Sequence, residues 1–324
     1  LAVDADPARD ATLTLRAAAA AAQAGLPIAP HALDRLAAES TPLPRPWPRA
    51  AREAFVSLLG SGTALVGVWE ALDEHGLIDP LLPHWAVVRS APQRNSVHRF
   101  TVDRHLVETA VQAEVLARTV DRPDLLLVAA LLHDIGKARP GDHSIVGADL
   151  AVELATLMGF PADDVETIRV LVRHHLLLAE TATRRDLEDP ATASAVLEHI
   201  GSHEVLDLLT ALTEADAIAT GPAVWSEWRR QLIAELAAQC HRRLAGRPEP
   251  EAPTLTPDQA LAVEQDGLWA LMEPGADVVT GASVFASGAS VDPGGGTDTL
   301  VLAEDRLDRP DLDGPAGLRR SPDE

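Results

Sequence analysis

The feature that most constrains this chain is an unbroken apolar run, Leu125–Leu132, followed directly by the ionisable pair His133-Asp134. A segment that is apolar at every position has no polar face to offer to water, so it favours a buried helix. It is far shorter than the ~20 residues that cross a bilayer. Because neighbouring residues on a helix point about 100° apart, both ionisable side chains can reach one cavity at the end of this helix.

Composition and periodicity predict an all-α protein. Of the 324 residues, 46% are hydrophobic but only 3% are aromatic and Tyr is absent, so Leu, Ala and Val form the core. As a set, these residues suit helices more than sheets. Short punctuation by Gly, Pro and Asp separates the helical segments, as a helical bundle requires.

Proline, glycine and charge divide the chain into four segments. We expect a helical segment and a Pro-rich linker over 1–48, a helical connecting region over 49–100, a compact helical unit over 101–247, and a helix followed by a largely disordered acidic tail over 248–324. Within the compact unit, helices are expected near 102–120, over 125–132, from about Asp142 to Gly159, from an N-cap at Asp163 past His175, and near 190–200, 203–219 and 222–245.

Charge and cysteine content argue against several classes of partner. The formal charge of −22 disfavours a nucleic-acid surface, which needs Lys and Arg to replace counterions. The single Cys240 excludes an intramolecular disulfide and a cysteine zinc site. No signal peptide opens the sequence, and no apolar run is long enough to span a membrane. We therefore expect a cytoplasmic protein with neither nucleic acid nor membrane as a partner.

Three ionisable side chains, His105, His175 and Asp216, share helical faces with residues otherwise meant for the core. Burying such groups costs several kcal/mol, roughly, unless each finds a partner. Their placement on three separate helices suggests that they share one partner. Imidazole and carboxylate groups together favour a divalent cation as that partner.

The pair His133-Asp134 completes this interpretation. Asp134 has two carboxylate oxygens and can bridge two cations, and His143 follows within one loop and can bind the second. Lys137, one turn after His133, can place a positive charge on a phosphate. Each residue alone also fits a structural role: a hydrogen-bonded core histidine, a helix-end capping pair at His133-Asp134, or a salt-bridged Asp216. The joint pattern on core faces favours the metal site.

The motif Leu131-Leu-His133-Asp134-Ile-Gly-Lys137, with flanking histidines and a late aspartate, resembles the HD superfamily of metal-dependent phosphohydrolases. The resemblance implies an HD-domain helical bundle, a cofactor of divalent metal (Mn²⁺ or Mg²⁺, with two ions possible), and catalytic roles for Asp134 and Lys137. It implies that one cation is bound by His105, His133, Asp134 and Asp216, and a second by His143 and His175 with Asp134 bridging.

Five further motifs are similar to the bifunctional uridylyltransferase/uridylyl-removing enzymes of bacterial nitrogen regulation: His98–His105, Gly141–Gly147, Val172–Leu176, Arg184–Pro190 and Thr213–Thr220. In that family an HD domain strips a nucleotide from a modified tyrosine of the signal protein PII. The resemblance covers about residues 10–246. It implies a phosphodiesterase that removes UMP, or AMP in high-GC bacteria, with PII as its substrate.

The chain departs from that family at both ends. The family's nucleotidyltransferase domain needs a Gly-Ser turn followed by an Asp-x-Asp pair, and neither Gly60-Ser61-Gly62 nor Asp4-Ala5-Asp6 supplies both. The C-terminal region shows no ACT strand-helix pattern, so only the removing activity is implied. Two alternatives stay open: an HD-type (d)NTP or alarmone phosphohydrolase, and a non-catalytic fragment that only binds PII.

Overall fold

The structure is a computed structural model, and it describes residues 5–93 and 97–246. Every regular element in these residues is helical, which confirms the predicted all-α class. The α-helices, in chain order, are α1 (Leu13–Gln23), α2 (Pro30–Glu39), α3 (Arg49–Leu59), α4 (Ala64–Glu74), α5 (Trp85–Val88), α6 (Val102–Leu116), α7 (Pro123–Leu132), α8 (His143–Leu157), α9 (Ala162–Arg173), α10 (Leu177–Arg184), α11 (Pro190–Leu197), α12 (His203–Thr220) and α13 (Glu227–Leu244).

Contacts divide the chain into two units, residues 1–185 with 191–247, and residues 186–190 with 248–324. The helices that position the candidate site, α6 to α9 and α12, belong to the first unit. Of the second unit, only residues 186–190 are described. The helix predicted within residues 248–324 and the tail after it therefore lie outside the described residues.

Helix α7 is the buried helix that the apolar run predicted. Each of its residues from Leu125 to Leu132 is between 0% and 4% exposed. Helices α3, α6, α9 and α12 all pack against it. The C-terminal end of α7, where His133 and Asp134 follow, is therefore surrounded by other helices.

The Pro-rich segment between α2 and α3 is non-helical, as predicted, because proline has no N–H to donate and disfavours helix at the residue before it. It is nevertheless packed. Trp47 is 4% exposed, and its backbone N–H donates to the carbonyl of Leu157 at 2.8 Å. Its ring meets that of Phe55 edge-on, with centroids 5.4 Å apart. The linker thus joins the end of α8 to α3.

The predicted helix from Asp163 past His175 is wrong at both ends. The N-cap of α9 is Pro161, in extended conformation, and Asp163 lies in the first turn, where a carboxylate interacts favourably with the helix dipole. The helix ends at Arg173. His175 instead lies in a turn, where its Nδ1 bonds the carbonyl of Val172 at 2.8 Å, a carbonyl near the helix end.

Other boundaries also differ from the expectations. Helix α6 ends at Leu116 and continues as one 3₁₀ turn to Thr119, rather than as a helix to about 120. Helix α13 begins at Glu227, because Ser226 caps it by accepting from the N–H of Arg229. Helix α10 was not predicted at all. Among the described helices, none has both the length and the apolar character that a membrane span would need.

Candidate metal centre

Two histidines and one carboxylate from three helices meet at the C-terminal end of α7. His105 lies on α6, His133 directly follows α7, and Asp216 lies on α12. The Nε2 atoms of His105 and His133 are 3.2 Å apart. Asp216 Oδ1 is 3.0 Å from His105 Nε2 and 3.5 Å from His133 Nε2. Three potential ligand atoms therefore face one point at the edge of the core.

Asp134 presents a different oxygen to each of two clusters. Its Oδ2 is 3.7 Å from His105 Nε2 and 3.4 Å from His133 Nε2. Its Oδ1 is 3.6 Å from the Nε2 atoms of both His143 and His175. Although buried, Oδ1 has no hydrogen-bond donor within the described residues. A buried carboxylate oxygen without a donor, facing two imidazole nitrogens, is an atom that a cation would satisfy.

The second cluster is built at two helix ends. His143 is the first residue of α8, and His175 lies in the turn between α9 and α10. The N-cap Asp142 fixes the start of α8, because its side chain accepts from the N–H groups of Ser144 and Ile145 at 2.8 and 3.2 Å. His175 is buried, whereas the side chain of His143 is 33% exposed. Of the two clusters, this one therefore has the more exposed histidine.

The backbone orients two of the imidazoles. His133 Nδ1 lies 2.8 Å from the carbonyl oxygen of Ala130, and His175 Nδ1 lies 2.8 Å from that of Val172. Because a carbonyl can only accept, each Nδ1 carries the proton. Nε2 is then the ring atom that faces the cluster, and in the neutral ring it carries the lone pair that metal ligation uses.

The charges of the cluster suit a cation. Burial lowers the pKa of His133, but the carboxylates of Asp134 and Asp216 outweigh burial and raise it to about 10. Burial raises the pKa of both carboxylates, yet the charge of His133 holds each pKa below its ordinary value. For His175 burial dominates and lowers the pKa to about 4. Both carboxylates are therefore anionic at neutral pH, as ligation of a divalent cation requires.

Lys137 adds a positive charge beside Asp134. Its Nζ lies 2.5 Å from Asp134 Oδ2 and donates to Gln93 Oε1 at 3.0 Å. Gln93 is a site residue that sequence reasoning missed. It lies in the non-helical segment before α6, 44 positions from Lys137, and no periodicity or motif marks it.

A close backbone contact between two glycines was also missed. Gly136 follows α7 by a few residues, and Gly147 lies within α8. A Cβ atom at Gly136 would lie 2.5 Å from the backbone nitrogen of Gly147, 2.9 Å from its Cα, and closer still to the carbonyl oxygen of His143. The absent side chain lets the turn that carries Asp134 approach the start of α8. The sequence signal for this contact was Gly147, because a glycine inside a helix is unfavourable by ~0.5–1 kcal/mol relative to alanine.

The structure brings all six predicted ligand residues into these two adjoining clusters. The candidate ligand atoms of His105, His133 and Asp134 lie within 4.8 Å of one another, as do those of Asp134, His143 and His175. Asp216 joins the first cluster through its distances to His105 and His133. His174 belongs to neither cluster; its ring stacks on His199 with centroids 4.6 Å apart. The donor set is four imidazole nitrogens and two carboxylates, one of them shared. This mixture, together with the orphaned Asp134 oxygen, fits a divalent metal cation.

Residues 102–221, which hold this helical bundle and the His133-Asp134 pair at the end of its buried helix, match the family model described as HD domain. The chain is also 59% identical, over 267 residues, to a bifunctional uridylyltransferase/uridylyl-removing enzyme of Streptomyces coelicolor; the match covers 82% of this chain and 32% of that protein. It is thus a homologue of one segment of these enzymes, which confirms the resemblance drawn from the motifs.

Two further relatives carry the same name. The protein of Mycobacterium tuberculosis H37Rv is 48% identical over 275 residues, which covers 85% of this chain and 34% of the relative. The protein of Corynebacterium glutamicum is 36% identical over 271 residues, which covers 83% of this chain and 39% of the relative. The chain spans about a third of the length of the curated relatives it matches.

Proposed function

We propose that this chain is a metal-dependent phosphodiester hydrolase that removes a nucleotidyl group, UMP or AMP, from a modified tyrosine of PII. The observation that carries the proposal is the arrangement around Asp134, whose two buried oxygens each face a separate pair of imidazole nitrogens. The similarity to proteins named uridylyl-removing enzymes supports the substrate class. A cytoplasmic location stays a prediction.

The chain's residues fit two cations, which we propose to be Mn²⁺ or Mg²⁺. One would be held by His105, His133, Asp134 and Asp216, and the other by His143, His175 and the second oxygen of Asp134. Bound divalent cations lower the pKa of water toward neutrality and offset negative charge on phosphoryl oxygens. The four imidazoles and two carboxylates would determine where the positive charge of the cations lies.

Lys137 would contact the phosphate. Its Nζ lies beside the bridging carboxylate, and its side chain is 21% exposed, so the ammonium lies where a substrate could meet it. A cation there would stabilise charge that builds on the phosphoryl oxygens during attack. The leaving group is a tyrosine phenolate, whose conjugate acid has a pKa of about 10, so little help from a general acid is needed.

The test is nucleotide release from uridylylated and adenylylated PII by the purified chain, with Mn²⁺, with Mg²⁺ and with EDTA. We expect release with a divalent cation and none with EDTA. Hydrolysis of (d)NTPs or alarmones without release from PII would support the free-nucleotide alternative. Binding of modified PII with no release under any of these conditions would support the non-catalytic alternative and refute the proposal.

A further inference from the structure

Gln93 is held against the candidate metal centre by its contact with Lys137. Its Oε1 accepts from Lys137 Nζ at 3.0 Å, and the same Nζ lies 2.5 Å from Asp134 Oδ2. An ammonium group has three N–H donors. Among the described residues, Asp134 and Gln93 accept two of them and hold the nitrogen between them, so one donor of Lys137 is left there for a further acceptor.

The amide nitrogen of Gln93 is a second unused donor at the same place. Gln93 Nε2 is buried and has no acceptor within the part of the chain that the structure describes. Because the ammonium can only donate, Oε1 must be the atom that faces it, and Nε2 is the other atom of the same carboxamide. A buried N–H without an acceptor is unfavourable, and a ligand oxygen would relieve it.

We propose that Gln93 is a phosphate-binding residue of this site: Oε1 positions the ammonium of Lys137, and Nε2 donates to a phosphoryl oxygen. The free donors of Gln93 and Lys137 would then lie side by side, matched to the two non-bridging oxygens of a phosphodiester. That the ligand is a nucleotidyl phosphodiester rests on the proposed function. Neither cation cluster includes Gln93, so its contribution is separable from metal binding.

The first experiment measures binding, which does not depend on turnover. The affinity of the Mn²⁺-loaded protein for UMP is determined by calorimetry for the wild type, Gln93→Met and Gln231→Met. Methionine keeps the length of glutamine and removes both polar atoms. Gln231 is an exposed glutamine on α13 and serves as the matched control. We expect Gln93→Met to weaken UMP binding roughly tenfold and Gln231→Met to leave it unchanged, with Mn²⁺ affinity and melting temperature preserved in both.

A double-mutant cycle separates the two roles of Gln93. In a Lys137→Met background, Gln93→Met should still weaken UMP binding, because the direct N–H contact is lost. The loss should be smaller than in the wild-type background, because no ammonium remains to be positioned. Gln93→Glu keeps an acceptor for Lys137 but removes the donor, and we expect it to bind UMP less well than the wild type.

Hydrolysis of bis(p-nitrophenyl) phosphate and release from modified PII separate this inference from the proposed function. A Gln93-dependent affinity for UMP without any hydrolysis would leave the inference standing and refute the proposed function. Hydrolysis by the wild type, together with unchanged UMP binding in Gln93→Met, would support the proposed function and refute the inference. If the wild type binds no UMP, or if Gln93→Met loses Mn²⁺ affinity or fold in parallel with UMP affinity, the inference is overturned.

Discussion

Asp134 is anionic although its side chain is 3% exposed, because positively charged and polar groups surround it. His133 and Lys137 approach Oδ2, and His143 and His175 face Oδ1. A carboxylate buried in this way would be unfavourable in an apolar core. At the residue scale, the site therefore depends on the negative charge of Asp134 and on the absence of a side chain at Gly136.

The first prediction separates the charge of Asp134 from its size. Asp134→Asn keeps the shape and removes the negative charge that both clusters share, so we expect nucleotide release to be abolished and helix content to stay near that of the wild type. The matched control is Asp149→Asn, at an exposed position of α8, which should retain activity. Release assays and circular dichroism melts on the same preparations measure both effects.

The contrasting forecast follows if His133-Asp134 were only a capping pair at the end of α7. Asp134→Asn would then cost about 1 kcal/mol of unfolding free energy and spare activity. Near-wild-type release by a folded Asp134→Asn protein would refute the metal assignment.

The second prediction concerns Gly136. A Cβ atom there would overlap backbone atoms of α8, which cannot move aside as a flexible side chain can. We expect Gly136→Ala to lower the unfolding free energy by about 1–3 kcal/mol and to weaken cation binding at the cluster that contains His143.

The matched control for Gly136→Ala is Gly67→Ala. Gly67 lies inside α4, and a Cβ atom there would meet nothing within 4 Å. Gly67→Ala should raise the unfolding free energy by about 0.5–1 kcal/mol, because alanine favours the helical conformation more than glycine does. Urea denaturation of the two variants provides the comparison, and equal stabilities would contradict the steric argument.

At the scale of elements, four of the six candidate ligands occur where helices begin or end. His133 and Asp134 follow α7, His143 begins α8, and His175 is the second residue after α9. Backbone groups at helix ends lack partners within the helix, and side chains satisfy them here. The carbonyl of Val172 bonds His175, and the N-terminal N–H groups of α8 bond Asp142. The contacts that satisfy these helix ends therefore also position the candidate ligands.

The third prediction belongs to the start of α8. Asp142→Ala removes the acceptor for two backbone N–H groups, so we expect a lower melting temperature and weaker cation binding by the His143 cluster. Asp142→Asn and Asp142→Ser should restore both, since Asn and Ser cap as well as Asp does. Calorimetric titration with Mn²⁺ and thermal melts measure these effects.

The same cap has a defined pH dependence. The backbone N–H groups of Ser144 and Ile145 hold the pKa of Asp142 below its ordinary value of 3.8. Its contribution to stability is therefore present above pH 3.8 and is lost as the pH falls through the lower pKa of the folded state. The wild type and Asp142→Asn should differ in the acid limb of their stability curves, and identical limbs would contradict the cap.

At the scale of the whole molecule, the ligands come from five places in the first unit: α6, the end of α7, the start of α8, the turn after α9, and α12. A cation bound by these residues links helices that are distant in sequence. Binding to the folded state alone should stabilise it by RT ln(1 + [L]/Kd), about 2.7 kcal/mol at a hundred times Kd.

The fourth prediction is a rise in melting temperature with Mn²⁺ that grows with pH. His133, whose pKa is raised from 6.5 to about 10, stabilises the metal-free fold fully below pH 6.5, and this contribution is lost as the pH rises through about 10. A cation must displace that proton, so its affinity should increase over the same interval. Melts with Mn²⁺ and with EDTA between pH 6.5 and 8.5 should therefore diverge.

Proton release provides the control for that prediction. Calorimetry at pH 7.5 in buffers of different ionisation enthalpy should show about one proton released as the first cation binds. A melting difference that is independent of pH, with no proton released, would contradict a role for His133 as a ligand.

The sequence alone determined those features that follow from local pattern. The unbroken run Leu125–Leu132 favoured a buried helix, and imidazoles and carboxylates on apolar faces could be recognised as a set because burial without partners is unfavourable. Helix starts at Pro30 and after Asp142 were predictable from residues that favour the first turn or the cap.

The tertiary structure decided what depends on contacts between distant residues. The division of the imidazoles between two cations was implied by the resemblance, but only the structure shows that His105 faces Oδ2 of Asp134 and His143 faces Oδ1. It placed Gln93 on Lys137 across 44 positions, and Gly136 against Gly147, because these contacts exist only once α7 and α8 have packed. It also ended α9 before His175, since a local bond to a backbone carbonyl prevailed over helical periodicity. Periodicity specifies which side of a helix is buried, but the partner it meets there is set by packing of the whole chain.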